Sequence, residues 1–499
     1  MEPFLNMIRS YAIPLKLLYF FINVQYYAFY QFRGPFAVKM FDVSKEHYGW
    51  FLGIILAVCF FTNTFLATAN DKFERPKLFI CTLLVVSMVS FELFYFWPAV
   101  KKHEGIFWLV MFLYSFFNTA IPPLLDRFAI EYLNRTPNVG ARTYGRQRLW
   151  GTIGYLLGNM AVESLCRTEP KKYDFDNLKY YVPLVTIPAV LFSALFIKSY
   201  DRAERSNADI ESSWASFLKN RPYLFFIFII LLNGITRAGM TLYLSIYQTE
   251  ILMLEGYTLS DRIPGFLRSI INVVNKNPIS TTATCGVVFE IIILYYSQNI
   301  VGRCGLYWPL LFAQVAQFVR FAGYYILPYD NSNTYAFSCL LETMKGVNFG
   351  LTHSSGVHIA NMMCPPHLKA TSQMIYTGTF TGLGSFFGGQ IFGLIFSKLS
   401  SKSATASEKA KIFSNFYIVN MLITSFGIAL FVYKYGMRDR VLSMDSLLGK
   451  TQQKKVEDRK VVMDVDEDEG DNKPSNPKST MYPYDVPDYA YPYDVPDYA

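Results

Sequence analysis

Charged residues are scarce. Only 17% of the 499 residues are Asp, Glu, Lys or Arg, against roughly a quarter in an ordinary soluble domain. The chain is 52% hydrophobic and 17% aromatic, with 36 Tyr and 44 Phe, and a soluble fold could not hide that much apolar surface. A disordered chain is excluded on the same ground. Cysteine is sparse and scattered: the seven (59, 81, 166, 285, 304, 339 and 364) form no CxxC pair. A disulfide scaffold, a zinc site and a redox motif are therefore not indicated, and buried free thiols are expected. No His/Cys/Glu set has ligand spacing, so neither a metal nor a cofactor is expected. No Walker loop or nucleophile–base pair appears, and glycine pairs such as the one in Gly389-Gln-Ile-Phe-Gly393 lie inside apolar runs rather than after strands. An enzyme is not indicated. The first residues, Met1 to Ile13, carry no apolar core ending in a cleavage pattern, so the first apolar run is expected to be retained.

The formal charge is +8, from 46 basic and 38 acidic residues. Residues 482–499 read YPYDVPDYA twice, a tandem epitope tag. Without its four Asp the balance is 46 to 34. A nucleic-acid binder would gather this charge into one basic domain. Here it is spread through short loops, which suits membrane-flanking positions, so the lipid bilayer rather than a nucleic acid is the expected partner.

Apolar runs of about 17–25 residues can cross a bilayer as helices. Twelve occur, near 13–31, 48–66, 78–97, 106–125, 148–166, 181–197, 223–247, 283–300, 306–327, 335–363, 371–396 and 412–433; they are numbered here as spans one to twelve. The expectation is an all-α membrane protein. A polar stretch at 198–222 divides it into an N-terminal six-helix bundle (1–197) and a C-terminal one (223–436). A second long loop is expected at 250–282, and the charged segment 437–480 reads as a disordered tail. Lys and Arg are nearly balanced between the two sets of loops, so they do not orient the chain. An even number of spans places both termini on one side.

Ionisable groups at membrane depth must face a cavity or one another. In span ten Glu342, Lys345, Phe349 and His353 recur at +3, +4, +4 and share a stripe; Glu342 and Lys345 either neutralise each other along the helix or line a cavity. In span five Arg148, Thr152 and Tyr155 share a face. A guanidinium fork suits hydroxyl, carbonyl or phosphate oxygens, and a ring can stack on a nucleobase; the bland alternative is a snorkelling arginine. Asp126, at the end of span four, is placed to balance Arg148. Asn233, Arg237 and Thr241 recur in span seven, and Asn23, Tyr27 and Tyr30 in span one, although an aromatic stripe of the last kind is more often packing than a ligand contact. Glu290 stands alone in span eight; it either carries a proton or pairs permanently with Arg320 of span nine. The glycines of span eleven, Gly378 and Gly382, Gly384 and Gly388, Gly389 and Gly393, suit close helix contact.

Several segments resemble the major facilitator superfamily. Ala67-Thr-Ala-Asn-Asp71-Lys72-Phe-Glu-Arg75-Pro-Lys77 is similar to its signature loop after span two, with Ala67 and Glu74 where glycines are usual; the resemblance makes Asp71 and Arg75 gating residues. Tyr144-Gly-Arg-Gln-Arg148-Leu-Trp150-Gly-Thr152-Ile-Gly-Tyr155 resembles the R-x-W-G-T-I-G-F segment of the nucleoside:proton symporters, relatives of the lactose permease. Similarity continues in order through 217–228, Glu290, Val319-Arg320-Phe321-Ala322 and 368–373. It extends to microsporidian members that carry purine nucleosides and nucleotides. The resemblance implies two bundles rocking about a site near the midplane, substrate contacts at Arg148, Thr152 and Tyr155, and both termini in the cytoplasm, with the plasma membrane as the default address. Arg237 and Lys345 stand where the nucleoside symporters have neutral residues. A cationic surplus favours an anion, so a purine nucleotide, as well as a nucleoside, is the expected small-molecule substrate. The substrate residues expected are Arg148, Thr152, Tyr155, Arg237, Lys345, Phe349, Asn23 and Tyr27, with Glu290, Arg320, Glu342 and Asp126 as proton-coupling or ion-pair groups. If Glu342 instead neutralises Arg237, a proton-coupled symporter of neutral nucleosides or oligosaccharides becomes the better expectation. A scaffold or sensor built on the same fold is the non-transport alternative. Asn134-Arg-Thr136 fits a glycosylation site, but is expected to be unmodified in a cytoplasmic loop.

Overall fold

A computed structural model describes residues 12–73, 76–135, 144–169, 172–197, 219–257, 264–328, 331, 333–364, 369–397, 405–438 and 442. Span one comprises Ile13–Tyr26 and, after a turn, Arg33–Phe41. Spans two and three are Lys45–Phe73 and Pro76–Phe96. Span four is Glu104–Thr119 followed by Ile121–Arg135, and spans five and six are Tyr144–Cys166 and Leu178–Phe196. In the second half, spans seven to ten are Arg221–Glu250, Pro278–Tyr295, Tyr307–Ile326 and Thr334–Met362. Span eleven runs as Lys369–Thr377, a π-helical stretch Gly378–Leu383, and Gly384–Phe396, and span twelve is Ala406–Phe431. The fold is thus an all-α bundle of twelve spans in two sets of six.

Seven of the described helices are long and apolar enough to cross a membrane by length and composition. Span nine shows why the others need not be. Its Gln314, Gln317 and Arg320 lower its hydropathy, yet all are buried against neighbouring helices, out of reach of lipid.

The helix pairings repeat with an offset of six. Spans one and five, one and six, two and four, three and four, and three and six pack together in the first half. Their counterparts seven and eleven, seven and twelve, eight and ten, nine and ten, and nine and twelve do so in the second. Between the halves, span two packs on eleven and span five on eight. Glycine allows the closest of these approaches. A methyl on Gly389 would run into the Gly49 carbonyl of span two, and one on Gly154 would lie 2.6 Å from the Phe20 carbonyl of span one. The paired glycines of span eleven face Phe60 (Gly378, Gly382), span seven (Gly384, Gly388) and span two (Gly389, Gly393).

Several boundaries differ from those expected. Span four ends not at 125 but at Arg135, because its charged residues stop the apolar run without stopping the helix; Asp126 therefore lies inside the helix. Span eight begins at Pro278 rather than 283. The hydroxyls of Thr281, Thr282 and Thr284 that hide its start from a hydropathy reading bond to nearby backbone carbonyls. The loop expected at 250–282 contains a helix, Gly265–Lys276. A two-stranded antiparallel hairpin, Arg167–Glu169 with Lys172–Tyr173, joins spans five and six. None of the seven cysteines is in a disulfide; three are buried and four half-buried. Arg75, the side chain of Asp71, residues 198–218, most of the tail, the tag and the Asn134–Thr136 motif side chains lie outside the described residues.

A candidate substrate cavity between the halves

The two halves are bonded together at the face opposite the chain ends. The Lys45 ammonium at the start of span two lies 3.0 Å from Glu250 at the end of span seven, and the Tyr243 hydroxyl donates to the Lys45 carbonyl at 3.0 Å. Trp50 Nε1 donates to the Gln390 carbonyl at 3.2 Å, and Gln390 Nε2 returns a bond to the Trp50 carbonyl at 3.3 Å. On the other flank the fully buried Glu163 of span five accepts the N–H groups of Ile279 (3.1 Å) and Ser280 (2.6 Å) at the start of span eight. A carboxylate is well matched to the positive end of that helix. Tyr173 of the hairpin donates its hydroxyl to the same carboxylate at 2.9 Å. Burial, and then the Glu163 charge, push the Tyr173 phenol up, so it stays a donor. Ser164 donates to the Asn277 side chain at 2.9 Å, and Arg167 donates to the carbonyls of Lys276 (3.1 Å) and Leu254 (3.3 Å).

Beneath this seal, polar and aromatic side chains from both halves converge. Arg148, near the opposite end of span five, keeps 63% of its side chain exposed, 4.0 Å from Asp126. Asp126 in turn accepts the Tyr19 hydroxyl at 2.8 Å. Among the described residues Arg148 and Lys345 lie near Glu290, and Arg148 and Arg237 near His353. Among the described residues these inter-half bonds lie at the face opposite the chain ends, and the exposed Arg148 lies toward the other face.

Irregular backbone frames Arg237. Its guanidinium sits 5.0 Å from the Phe380 ring centre and faces the Tyr30 phenol across the interface. Tyr30 lies in the turn that breaks span one, and Phe380 in the π-helical stretch of span eleven. Interrupted helices at such depth persist where they line a cavity or are buried in protein. A cluster of rings adjoins: Phe349 and His353 at 4.3 Å, His353 and Phe380 at 5.6 Å, and His353 and Tyr376 at 6.0 Å. In the other half Tyr27 meets Tyr155 edge-on at 4.6 Å and Tyr30 at 5.4 Å.

The ion pairing differs from both sequence expectations. Glu342 bonds neither Lys345 nor Arg237. It holds Arg320 of span nine in a fork, at 2.7 and 2.9 Å to Nη2 and 3.0 Å to Nε, and accepts the Tyr324 hydroxyl at 2.9 Å. Both residues are buried. Lys345, only about 60° round the helix from Glu342, lies instead along span eight, where its stem passes the space left by Gly286 at 3.4 Å. Arg320 is consequently not the partner of Glu290, and no ion pair within 4 Å joins Glu290 to another described residue. Asn23 donates to the Tyr19 carbonyl at 2.8 Å and covers Gly151, wedged between spans one and five. Thr152 is half-buried on the Arg148 face.

Sequence reasoning passed over Glu163, Lys45, Glu250, Trp50, Gln390 and Tyr19. Glu163 carries a legible signal, a lone carboxylate late in an apolar span; the others lie at span ends, where polar residues are ordinary.

The fold of two six-helix halves and the family it matches are those of a membrane transporter of the major facilitator type, not an enzyme. Residues 12–406 match the MFS_1 like family, and the chain belongs to that family. It is 22% identical over 385 residues to the maltose permease of Geobacillus stearothermophilus, covering 76% of this chain and 86% of that one. It is 24% identical over 309 residues to the probable 3-phenylpropionic acid transporter of Escherichia coli (strain K12), covering 61% and 72%. Among solved structures it superposes on the nucleoside transporter NupG with a TM-score of 0.68 at 17% identity, over 85% of this chain and 99% of that one. It superposes on a D-xylose–proton symporter with a TM-score of 0.56 at 12% identity, over 84% and 97%.

Proposed function

We propose that this transporter carries purine nucleosides and nucleotides by alternating access. The halves 1–197 and 223–436 rock about the cavity, with both termini in the cytoplasm and the protein in the plasma membrane. The observation that carries the nucleotide reading is the fate of Glu342. Its charge is taken by Arg320, so it does not offset the cations of the cavity. Asp126 stands by Arg148 and Glu290 near Lys345, while Arg237 has an Nε without a hydrogen-bond partner among the described residues. A phosphate supplies the missing acceptor. The half-buried rings of Tyr27 and Phe349 are the ones available to a planar base, with Tyr155 and Phe380 packed behind them. The nucleoside part is further supported by the likeness to NupG.

A second reading has a specific observation behind it. Glu290 has charged neighbours but no ion pair within 4 Å among the described residues, which suits it to exchange a proton with each transport cycle. On that reading the chain is a proton-coupled symporter of neutral nucleosides or oligosaccharides, and the names of the sugar-carrying relatives fit it. Uptake of labelled adenosine, ATP, GTP and a disaccharide into cells expressing the chain separates the two. Nucleotide uptake that Lys345→Ala abolishes while adenosine uptake persists supports the first. Equal loss of both sinks it, and failure to move any of the four favours a sensor or scaffold.

A further inference from the structure

The helix Gly265–Lys276 separates apolar from polar residues more sharply than any other described helix. At 3.6 residues per turn, Phe266, Ile271, Val273 and Val274 occupy one half of its circumference. Arg268, Ser269, Asn272, Asn275 and Lys276 occupy the other. The apolar half is only partly covered by protein. Phe266 is 77% exposed, the most of any large apolar side chain described, and Val273 is 52% exposed.

The position of the helix says what covers them. One residue, Asn277, separates it from span eight. The Val274 carbonyl accepts Thr281 Oγ1 at 3.0 Å and the Tyr335 hydroxyl at 3.2 Å, from the first turns of spans eight and ten. Its last turn therefore lies where those spans enter the bilayer, and Phe337 and Leu340 of span ten, 49% and 59% exposed, continue the apolar surface into the lipid. We propose that Gly265–Lys276 is an interfacial helix whose Phe266–Val273 edge is buried in the leaflet opposite the chain ends, its polar half turned to headgroups and water. The helix is also tied to the seal. Arg167 of the first half donates to the carbonyl of Lys276, the helix's last residue, and to that of Leu254, which precedes the helix. Opening that face must break these bonds, and the lipid then retains the helix with the second half.

This inference does not rest on the substrate reading, and its test measures no transport. The unaltered protein is reconstituted in phosphatidylcholine vesicles containing a lipid with a diazirine near its glycerol backbone. Photolysis is expected to place adducts on Phe266 and Val273 but not on Asn272. Unlabelled 265–276 alongside labelled membrane spans overturns the proposal. Phe266→Trp and Val273→Trp, each compared with Asn272→Trp over the background of the six native tryptophans, give an independent reading in vesicles of brominated lipid. Emission at 266 and 273 is expected to shift to the blue and be quenched by bromine, and that at 272 by aqueous acrylamide. Equal acrylamide quenching at all three positions, or shielding of 266 and 273 from both quenchers by a protein partner, overturns it.

Discussion

The carboxylate of Glu163 closes the first turn of a helix that belongs to the other half of the molecule, receiving the Ile279 and Ser280 N–H groups at 3.1 and 2.6 Å. Alternating access requires that bond to break in every cycle. A hydrogen bond to a charged group contributes about 1.5–3 kcal/mol, so its loss shifts the closed–open equilibrium by roughly tenfold or more. Glu163→Gln is expected to raise amide hydrogen exchange across 277–284 by that factor while leaving the distant 307–326 unchanged. Unaltered exchange at 277–284 would show that the bond does not hold the seal.

The other flank is sealed by backbone contact. A methyl at position 389 meets the Gly49 carbonyl. Gly389→Ala should therefore push spans two and eleven apart, disfavouring the closed face by about 1–3 kcal/mol. Slower uptake and faster hydrogen exchange over 46–53 are the expected outcomes. Gly105→Ala serves as the control, since nothing lies within 4 Å of a methyl there; it should behave as wild type.

The Arg320–Glu342 pair is buried on both sides. Removing one partner strands a charge and costs about 3–5 kcal/mol, whereas replacing both with apolar residues is often close to neutral. Thermal unfolding in detergent should show Glu342→Leu strongly destabilised and the Arg320→Met/Glu342→Leu double variant largely restored. A double variant as unstable as the single one contradicts the pairing.

Glu290 distinguishes coupling from exchange. In liposomes, Glu290→Gln is expected to abolish the stimulation of uptake by an inward pH gradient and to leave exchange of substrate across the membrane intact. Persistence of the gradient effect removes Glu290 from the proton route.

Orientation is tested at Asn134. With the chain ends in the cytoplasm, the loop carrying Asn134-Arg-Thr136 lies on the same side, so glycosidase treatment should leave the mobility of the protein unchanged. A shift reverses the topology.

Much of this architecture is legible without coordinates. Apolar runs of bilayer length give the twelve spans, and helical spacing groups Lys345 with His353 on span ten and Arg148 with Tyr155 on span five. Lipid tolerates few alternatives, so one-dimensional pattern suffices there. Helix ends were less legible, because span four continues past its apolar run and span eight begins before its own. Pairing was beyond reach. The sequence offered Glu342 two partners, Lys345 and Arg237, and the structure chose Arg320, since a side chain bonds the nearest suitable group in space and not the nearest in sequence. The seal was equally hidden. Glu163 and Ser280 lie far apart along the chain, and only the packing of span five on span eight makes a carboxylate in one half the cap of a helix in the other. Composition and periodicity thus determined that the chain spans a membrane and which residues share a helix face; tertiary structure alone decided which charges neutralise each other and where the halves meet, because both depend on distances between helices that no local pattern records.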